Sequence, residues 1–88
     1  MEIYVIEGNF ASEDDVEEYE LEMDLIDDYN AITYELRDIP GFGFIIKSGE
    51  ESEAKNIFNK IINTMGDAPI FAIRMSKHEV EIVEEMGF

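Results

Sequence analysis

The chain has 88 residues, of which 22 are Asp or Glu and six are Lys or Arg, so its formal net charge is −16. This length supplies one hydrophobic core, and we expect residues 1–88 to form a single acidic domain. The hydrophobic fraction of 45% excludes a disordered acidic tail. The sequence has no cysteine, no signal-peptide pattern and no membrane-spanning apolar run. We therefore expect a cytoplasmic protein.

Four short segments have the patterns of β-strands. They comprise residues 2–7, 32–37, 42–47 and 70–75. The first and third are apolar on both faces, which is typical of central strands, whereas the second alternates with period two as a half-buried strand does. Gly8-Asn9 is expected to end the first strand, and Pro40-Gly41 is expected to turn the second strand into the third.

The first helix is predicted between the first two strands, from the N-cap Ser12 to about Ile26. One of its faces is apolar and carries Val16, Tyr19, Met23 and Ile26. Leu21 and Leu25 point the opposite way. Acidic and apolar residues also alternate over residues 18–26, so an extra acidic strand there is the alternative.

Two further helices follow. Residues 50–65 have an apolar stripe at helical spacing, and Ser48 with Glu51 forms a capping box. The stripe comprises Ala54, Ile57, Phe58, Ile61, Ile62 and Met65. A second capping box, Ser76 with Glu79, predicts a short C-terminal helix. The order β-α-β-β-α-β-α predicts an antiparallel α+β domain of the ferredoxin-like class with an added C-terminal helix.

Two short stretches of the predicted strands have patterns that occur as motifs in a known protein family. They are Ile3-Tyr4-Val5 on the first strand and residues 41–45 on the third. They resemble the two sequence motifs of the RNA-recognition motif family, whose elements follow the same order. The resemblance implies that Tyr4, Phe42 and Phe44 stand on the open face of the sheet and stack on bases. Dimerisation through this face is an alternative, and so is its burial under the C-terminal helix. The side chains that this helix would contribute are Val80, Val83, Met86 and Phe88.

Ten of the 22 acids lie within residues 13–28, which contain no Lys or Arg and which we call the acidic segment. These acids are Glu13, Asp14, Asp15, Glu17, Glu18, Glu20, Glu22, Asp24, Asp27 and Asp28. In a helix they supply one charge per ~2.4 Å, against about 1.7 Å per charge along duplex DNA. Leu21 and Leu25 are expected to give this surface an apolar centre. Together these residues form the predicted partner-binding site.

Such a segment resembles, as a class, the small acidic proteins with which bacteriophages occupy the DNA-binding surfaces of host proteins. The resemblance implies a DNA-mimic inhibitor in the host cytoplasm. Its expected partner is a basic DNA-binding protein, first the histone-like protein HU and otherwise a restriction or CRISPR effector or RNA polymerase. The alternatives are an RNA-binding domain, an immunity protein or antitoxin that blocks a basic nuclease, a general acidic interaction face, and salt adaptation.

Other chemistries are not expected. Asp24, Asp27, Asp28 and Asn30 lack the spacing and the central glycine of a calcium loop. His78 is the single histidine, and we expect it on the surface in the first turn of the C-terminal helix. The prediction is therefore a protein without catalytic residues, cofactor, metal, direct nucleic-acid contact or membrane contact, for which a homodimer stays open.

Overall fold

The computed structural model describes residues 2–68 and 70–79. Its elements are β1 (Glu2–Ala11), α1 (Asp15–Tyr29), β2 (Ile32–Glu35), β3 (Phe42–Ser48), α2 (Glu51–Met65) and β4 (Ile70–Glu79). This order confirms the expected ferredoxin-like α+β fold. Among the described residues, neither helix has the length and apolar character that a membrane crossing requires.

The four strands form one antiparallel sheet in the order β2-β3-β1-β4. The central positions predicted for β1 and β3 are therefore confirmed. Cross-strand partners share a face of the sheet, so Phe10, Phe42 and Phe71 lie on one side. We call this the helix side, because its residues pack with α1 and α2 in the core, and we call the other side the open face.

The core lies between the helix side of the sheet and the two helices. Its buried members are Ile6, Phe10, Leu25, Ala31, Phe42, Phe44, Ile46, Ala54, Ile57, Ile61 and Met65. The stripe predicted for α2 is confirmed at its four fully buried positions and at the half-buried Phe58. Ile62 is the exception, because it is exposed at the edge of the stripe.

β1 is four residues longer than predicted, because it continues through Gly8 and Asn9 to Ala11. Both residues pair on two sides, and Gly8 lies opposite Phe44 and Ile73. A Cβ at Gly8 would lie 3.0 Å from the Phe44 ring, so the missing side chain makes room for the core. Hydrogen bonding to two neighbouring strands therefore overrides the local preference of Gly-Asn for a turn.

Residues 18–26 are helical, so the extra acidic strand is excluded. The N-cap is Asp14, not Ser12, because the Asp14 carboxylate accepts hydrogen bonds from the amides of Val16 and Glu17, each at 3.1 Å. The helix also continues past Ile26 to Tyr29. Asn30 ends it in the left-handed conformation that suits a C-cap.

Neither predicted capping box forms. Ser48 ends β3, where its hydroxyl donates to the Glu50 carbonyl at 3.1 Å, and Glu50 becomes the N-cap of α2 without a side-chain hydrogen bond. Ser76 and Glu79 belong to β4, where they pair with Val5 and Glu2 of β1. β4 pairs with β1 along the full length of β1. The rest of the predicted C-terminal helix lies outside the described residues.

The turn between β2 and β3 follows the prediction at Gly41, whose φ of 147° lies in the region that favours glycine. The alternation of β2 does not lead to the expected burial. Ile32 and Tyr34 are exposed on the open face, because they pair with Ile45 and Gly43 of β3. The Tyr34 ring lies over Gly43, where a Cβ would collide with it.

Candidate functional site

α1 places most of the acidic segment at the surface. Eight of its ten acids are exposed, and Glu18 and Glu22 are half-buried. Glu13 and Asp14 precede the helix, and the other eight acids lie within it. Asp14 also stabilises the fold as the N-cap, so its carboxylate is committed to backbone amides. The acids of α1 that are free of a capping role therefore form the candidate site.

No direct ion pair neutralises the acidic segment within residues 2–68 and 70–79. The salt bridges in this part of the chain join Lys55 to Glu51, Arg74 to Glu7 and Lys77 to Glu2. Lys55 forms its bridge at 2.8 Å, and this contact lowers the pKa of Glu51 below the usual range for glutamate. Lys55 of α2 and the two cations of β4 are thus paired with acids outside the acidic segment.

Glu18 has an unfavourable environment for its charge. Partial burial is the main cause that raises the pKa of Glu18, and the carboxylates of Asp15, Glu22 and Glu35 raise it further. Glu35 reaches this group from β2, which packs beside α1. The side of α1 that faces β2 therefore stores like-charge repulsion that a cation would relieve.

Leu21 and Leu25, the predicted apolar centre of the site, face the core. Leu25 is 4% exposed and belongs to the core, and Leu21 packs against the same core. The reason is the length of α1: once the helix reaches Tyr29, residues 21, 25 and 29 form a row four residues apart that faces the sheet. Leu25 is therefore unavailable to a partner, and Leu21 is half-buried.

The face of α1 that the sequence grouped as apolar points away from this row. We call it the outer stripe, and it comprises Val16, Tyr19, Met23 and Ile26. Val16 is 68% exposed and Tyr19 is 63% exposed, while Met23 and Ile26 are half-buried. None of the four belongs to the core or packs against it. The outer stripe is thus the apolar part of the acidic surface.

A cleft of about 520 Å³ opens beside the start of the acidic segment. The core residues Phe10 and Met65 contribute to its lining, and Glu13, Asp14 and Glu17 add carboxylates. Lys and Arg side chains combine an apolar stem with a cationic end. The cleft therefore has the chemistry to accept such a side chain from a partner.

The sheet does not present the aromatic surface implied by the RNA-recognition motif. Phe42 is 2% exposed and Phe44 is 0% exposed, because both lie on the helix side and pack in the core. Tyr4 shares that side, and its hydroxyl lies 3.4 Å from a Glu51 carboxylate oxygen. Residues two apart in a strand share a face of the sheet, so Phe42 and Phe44 lie on the same side as the buried Ile46. The expected base-stacking surface is therefore absent from the described residues.

His78 lies in β4 instead of the first turn of a helix. Its Nε2 atom is 2.8 Å from the Ser76 hydroxyl on the open face. No group of three or more His, Asp or Glu side chains within the described ranges is arranged to hold a metal ion. The carboxylates of α1 therefore have no metal-binding geometry in this part of the chain.

Comparison of the chain with protein-family models, with curated proteins and with solved structures finds no match in any of the three. The charge, exposure and packing of α1 are therefore the observations that bear on function.

Proposed function

We propose that this protein binds a basic DNA-binding protein through the exposed acids of α1 and competes with DNA for that surface. The observation that carries the proposal is the set of acids within residues 13–28, of which eight are exposed and none is neutralised by an ion pair among the described residues. An uncompensated field of this kind attracts cationic proteins and repels nucleic acid.

The dimensions of α1 support imitation of a phosphate backbone. Its 15 residues extend over about 22 Å, and they carry eight carboxylates. A carboxylate accepts charge-assisted hydrogen bonds from Lys and Arg, as a phosphate does. The surface of a protein that holds several successive phosphates could therefore engage several of these acids at once.

The acidic segment destabilises its own helix through like-charge repulsion, and this cost is a second observation that supports the proposal. Within α1, Glu18 lies four residues from both Asp14 and Glu22, and Glu20 lies four residues from Asp24. Each such like-charge pair destabilises a helix by about 0.2–0.5 kcal/mol. Mixed charges would serve solubility without this cost, so we infer that the acids are retained for an interaction.

The first target to test is the histone-like protein HU, because its DNA-binding surface is broad, basic and not sequence-specific. Restriction or CRISPR effectors and RNA polymerase are further candidates. The cleft beside Glu13 and Glu17 would accept a Lys or Arg side chain from such a target. Burial of Phe42 and Phe44 weighs against the alternative of RNA binding, because it removes two of the three stacking residues.

The test is displacement of a fluorescent DNA duplex from HU by the purified protein. We expect wild-type protein to displace the duplex and to lose this ability as the salt concentration rises. The triple variant Glu17→Lys, Glu20→Lys and Asp24→Lys should compete at least about 100-fold more weakly, because attraction becomes repulsion at three exposed positions.

A matched control changes the same total charge elsewhere on the surface. Its substitutions are Asp38→Lys, Glu50→Lys and Glu53→Lys, all at exposed positions outside α1. We expect this variant to retain most of the competition. Equal losses in both variants would show that only net charge matters, and a wild-type protein that never displaces DNA would contradict the proposal.

A further inference from the structure

The outer stripe has the spacing of a coiled-coil seam. Val16, Tyr19, Met23 and Ile26 are separated by three, four and three residues, which is the a-d-a-d pattern of two heptads. On a helix these positions fall within a sector of about 80°. A second helix could therefore lie along the stripe with its own apolar residues between these side chains.

Four of the five positions that flank such a seam are acidic. In the heptad set by Val16, the e positions are Glu20 and Asp27, and the g positions are Asp15, Glu22 and Tyr29. Side chains at e and g pair across the interface and select the partner helix. This arrangement specifies a partner with basic residues at its flanking positions.

The same charges disfavour a second copy of the chain as the occupant. Two outer stripes in contact would bring acidic e and g positions together in either helix direction. Like charges across an interface oppose association. Within residues 2–68 and 70–79 the first half of the stripe is open to solvent, because Val16 and Tyr19 are 68% and 63% exposed.

From this arrangement we propose that the outer stripe docks a basic amphipathic helix of the partner protein. The inference rests on the proposed function in one respect, since both require a cationic partner at α1. The inference adds that part of the contact is apolar and that the partner contributes a helix to it. The acids orient the partner and speed its approach, and the stripe supplies apolar burial that salt does not screen.

The probe is a pair of synthetic peptides of identical composition. The amphipathic peptide has Leu and Ile at a and d and Lys at e and g, and the scrambled peptide distributes the same residues around the helix. Affinities are measured by calorimetry at low and at high salt. We expect the wild-type protein to bind the amphipathic peptide about tenfold more tightly than the scrambled one, and to keep this difference at high salt.

The variant Val16→Ser with Tyr19→Ser should lose most of the tenfold preference, because the two changes remove the most exposed side chains of the outer stripe and leave every acid in place. The matched control is Ile62→Ser, which removes an exposed apolar side chain from α2 and should preserve the tenfold difference. Circular dichroism verifies that each variant retains the fold.

Three results would overturn the inference. Equal binding of the two peptides to the wild-type protein, together with displacement of DNA from HU, would reject the helical dock and leave the proposed function standing. Failure of both peptides and of HU to bind would reject both proposals. A wild-type dimer in sedimentation that the Val16→Ser, Tyr19→Ser variant dissociates would show that a second copy occupies the stripe.

Discussion

The two helices have the same length of 15 residues but differ in how many of their side chains are buried. α2 directs four fully buried side chains into the core, whereas Leu25 is the single fully buried residue of α1. α2 therefore contributes mainly to folding. α1 is attached by a narrower row, and it exposes both its acids and an apolar stripe to solvent. The contrast indicates that a helix can be held in a core by one row of side chains while most of its surface stays in solvent.

The largest effect that tests this contrast is expected in α2. Ile61 is buried in the core, so Ile61→Ala should lower the free energy of unfolding by about 3 kcal/mol through lost burial and a cavity. Urea denaturation measures the change. Asn63→Ala, at an exposed position of the same helix, should change stability by less than about 0.5 kcal/mol. A small loss for Ile61→Ala would mean that α2 does not organise the core.

The next effect tests which side of α1 faces the sheet. Leu25→Ala should lower the free energy of unfolding by about 2.5 kcal/mol, because Leu25 is buried among core side chains. Tyr19→Ala should change it by less than about 0.5 kcal/mol, because Tyr19 projects into solvent. Urea denaturation of the two variants measures both changes in the free energy of unfolding. The reverse order of the two losses would show that the outer stripe faces inward.

A smaller effect concerns the start of α1. Asp14→Ala should cost about 1 kcal/mol, because two helix amides lose their acceptor. Asp14→Asn keeps an acceptor oxygen and should recover most of the loss. Thermal unfolding at a fixed pH compares the variants. If Ser12→Ala were the more damaging substitution, Ser12 and not Asp14 would be the N-cap.

The smallest effect concerns the repulsion stored beside β2. Burial and neighbouring carboxylates raise the pKa of Glu18 in the folded protein, so its ionised form lowers stability at any pH above that pKa. Glu18→Gln should therefore stabilise the protein by about 0.5 kcal/mol at neutral pH. The gain should fall as the pH drops through the raised pKa and vanish below the ordinary pKa of glutamate, because Glu18 is then neutral in both the folded and the unfolded wild-type protein.

Denaturation of Glu18→Gln across a pH series gives this profile. Glu13→Gln removes one charge from an exposed position ahead of the helix and serves as the control. A gain for Glu18→Gln that persists unchanged at acidic pH would contradict the assignment to carboxylate repulsion.

The sequence was sufficient for the order of the six described elements and for the central strands, because hydrophobic periodicity and burial on both faces are local signals. The stripe of α2 was predictable for the same reason. Element ends were not, since they depend on partners: Gly8 and Asn9 stay in β1 because two strands pair with them. The faces of the sheet were also beyond local reasoning, because the register of β3 decides that Phe42 and Phe44 point at the helices.

The site was half predictable. Eight of the ten acids of residues 13–28 are exposed, but Leu21 and Leu25, the predicted apolar centre, face the core. The sequence contained a signal for this placement of the two leucines. Tyr29 extends the leucine row by one turn, and the acids on both sides of the outer stripe mark a face that is unsuited to a core.

An NMR titration of the labelled chain with HU shows whether the outward side of α1 contacts a cationic protein. We expect the largest shift changes at Glu17, Tyr19 and Glu20, with little change at Lys47 and Arg74 on the open face. Large changes confined to the open face, with the α1 signals unmoved, would contradict this contact.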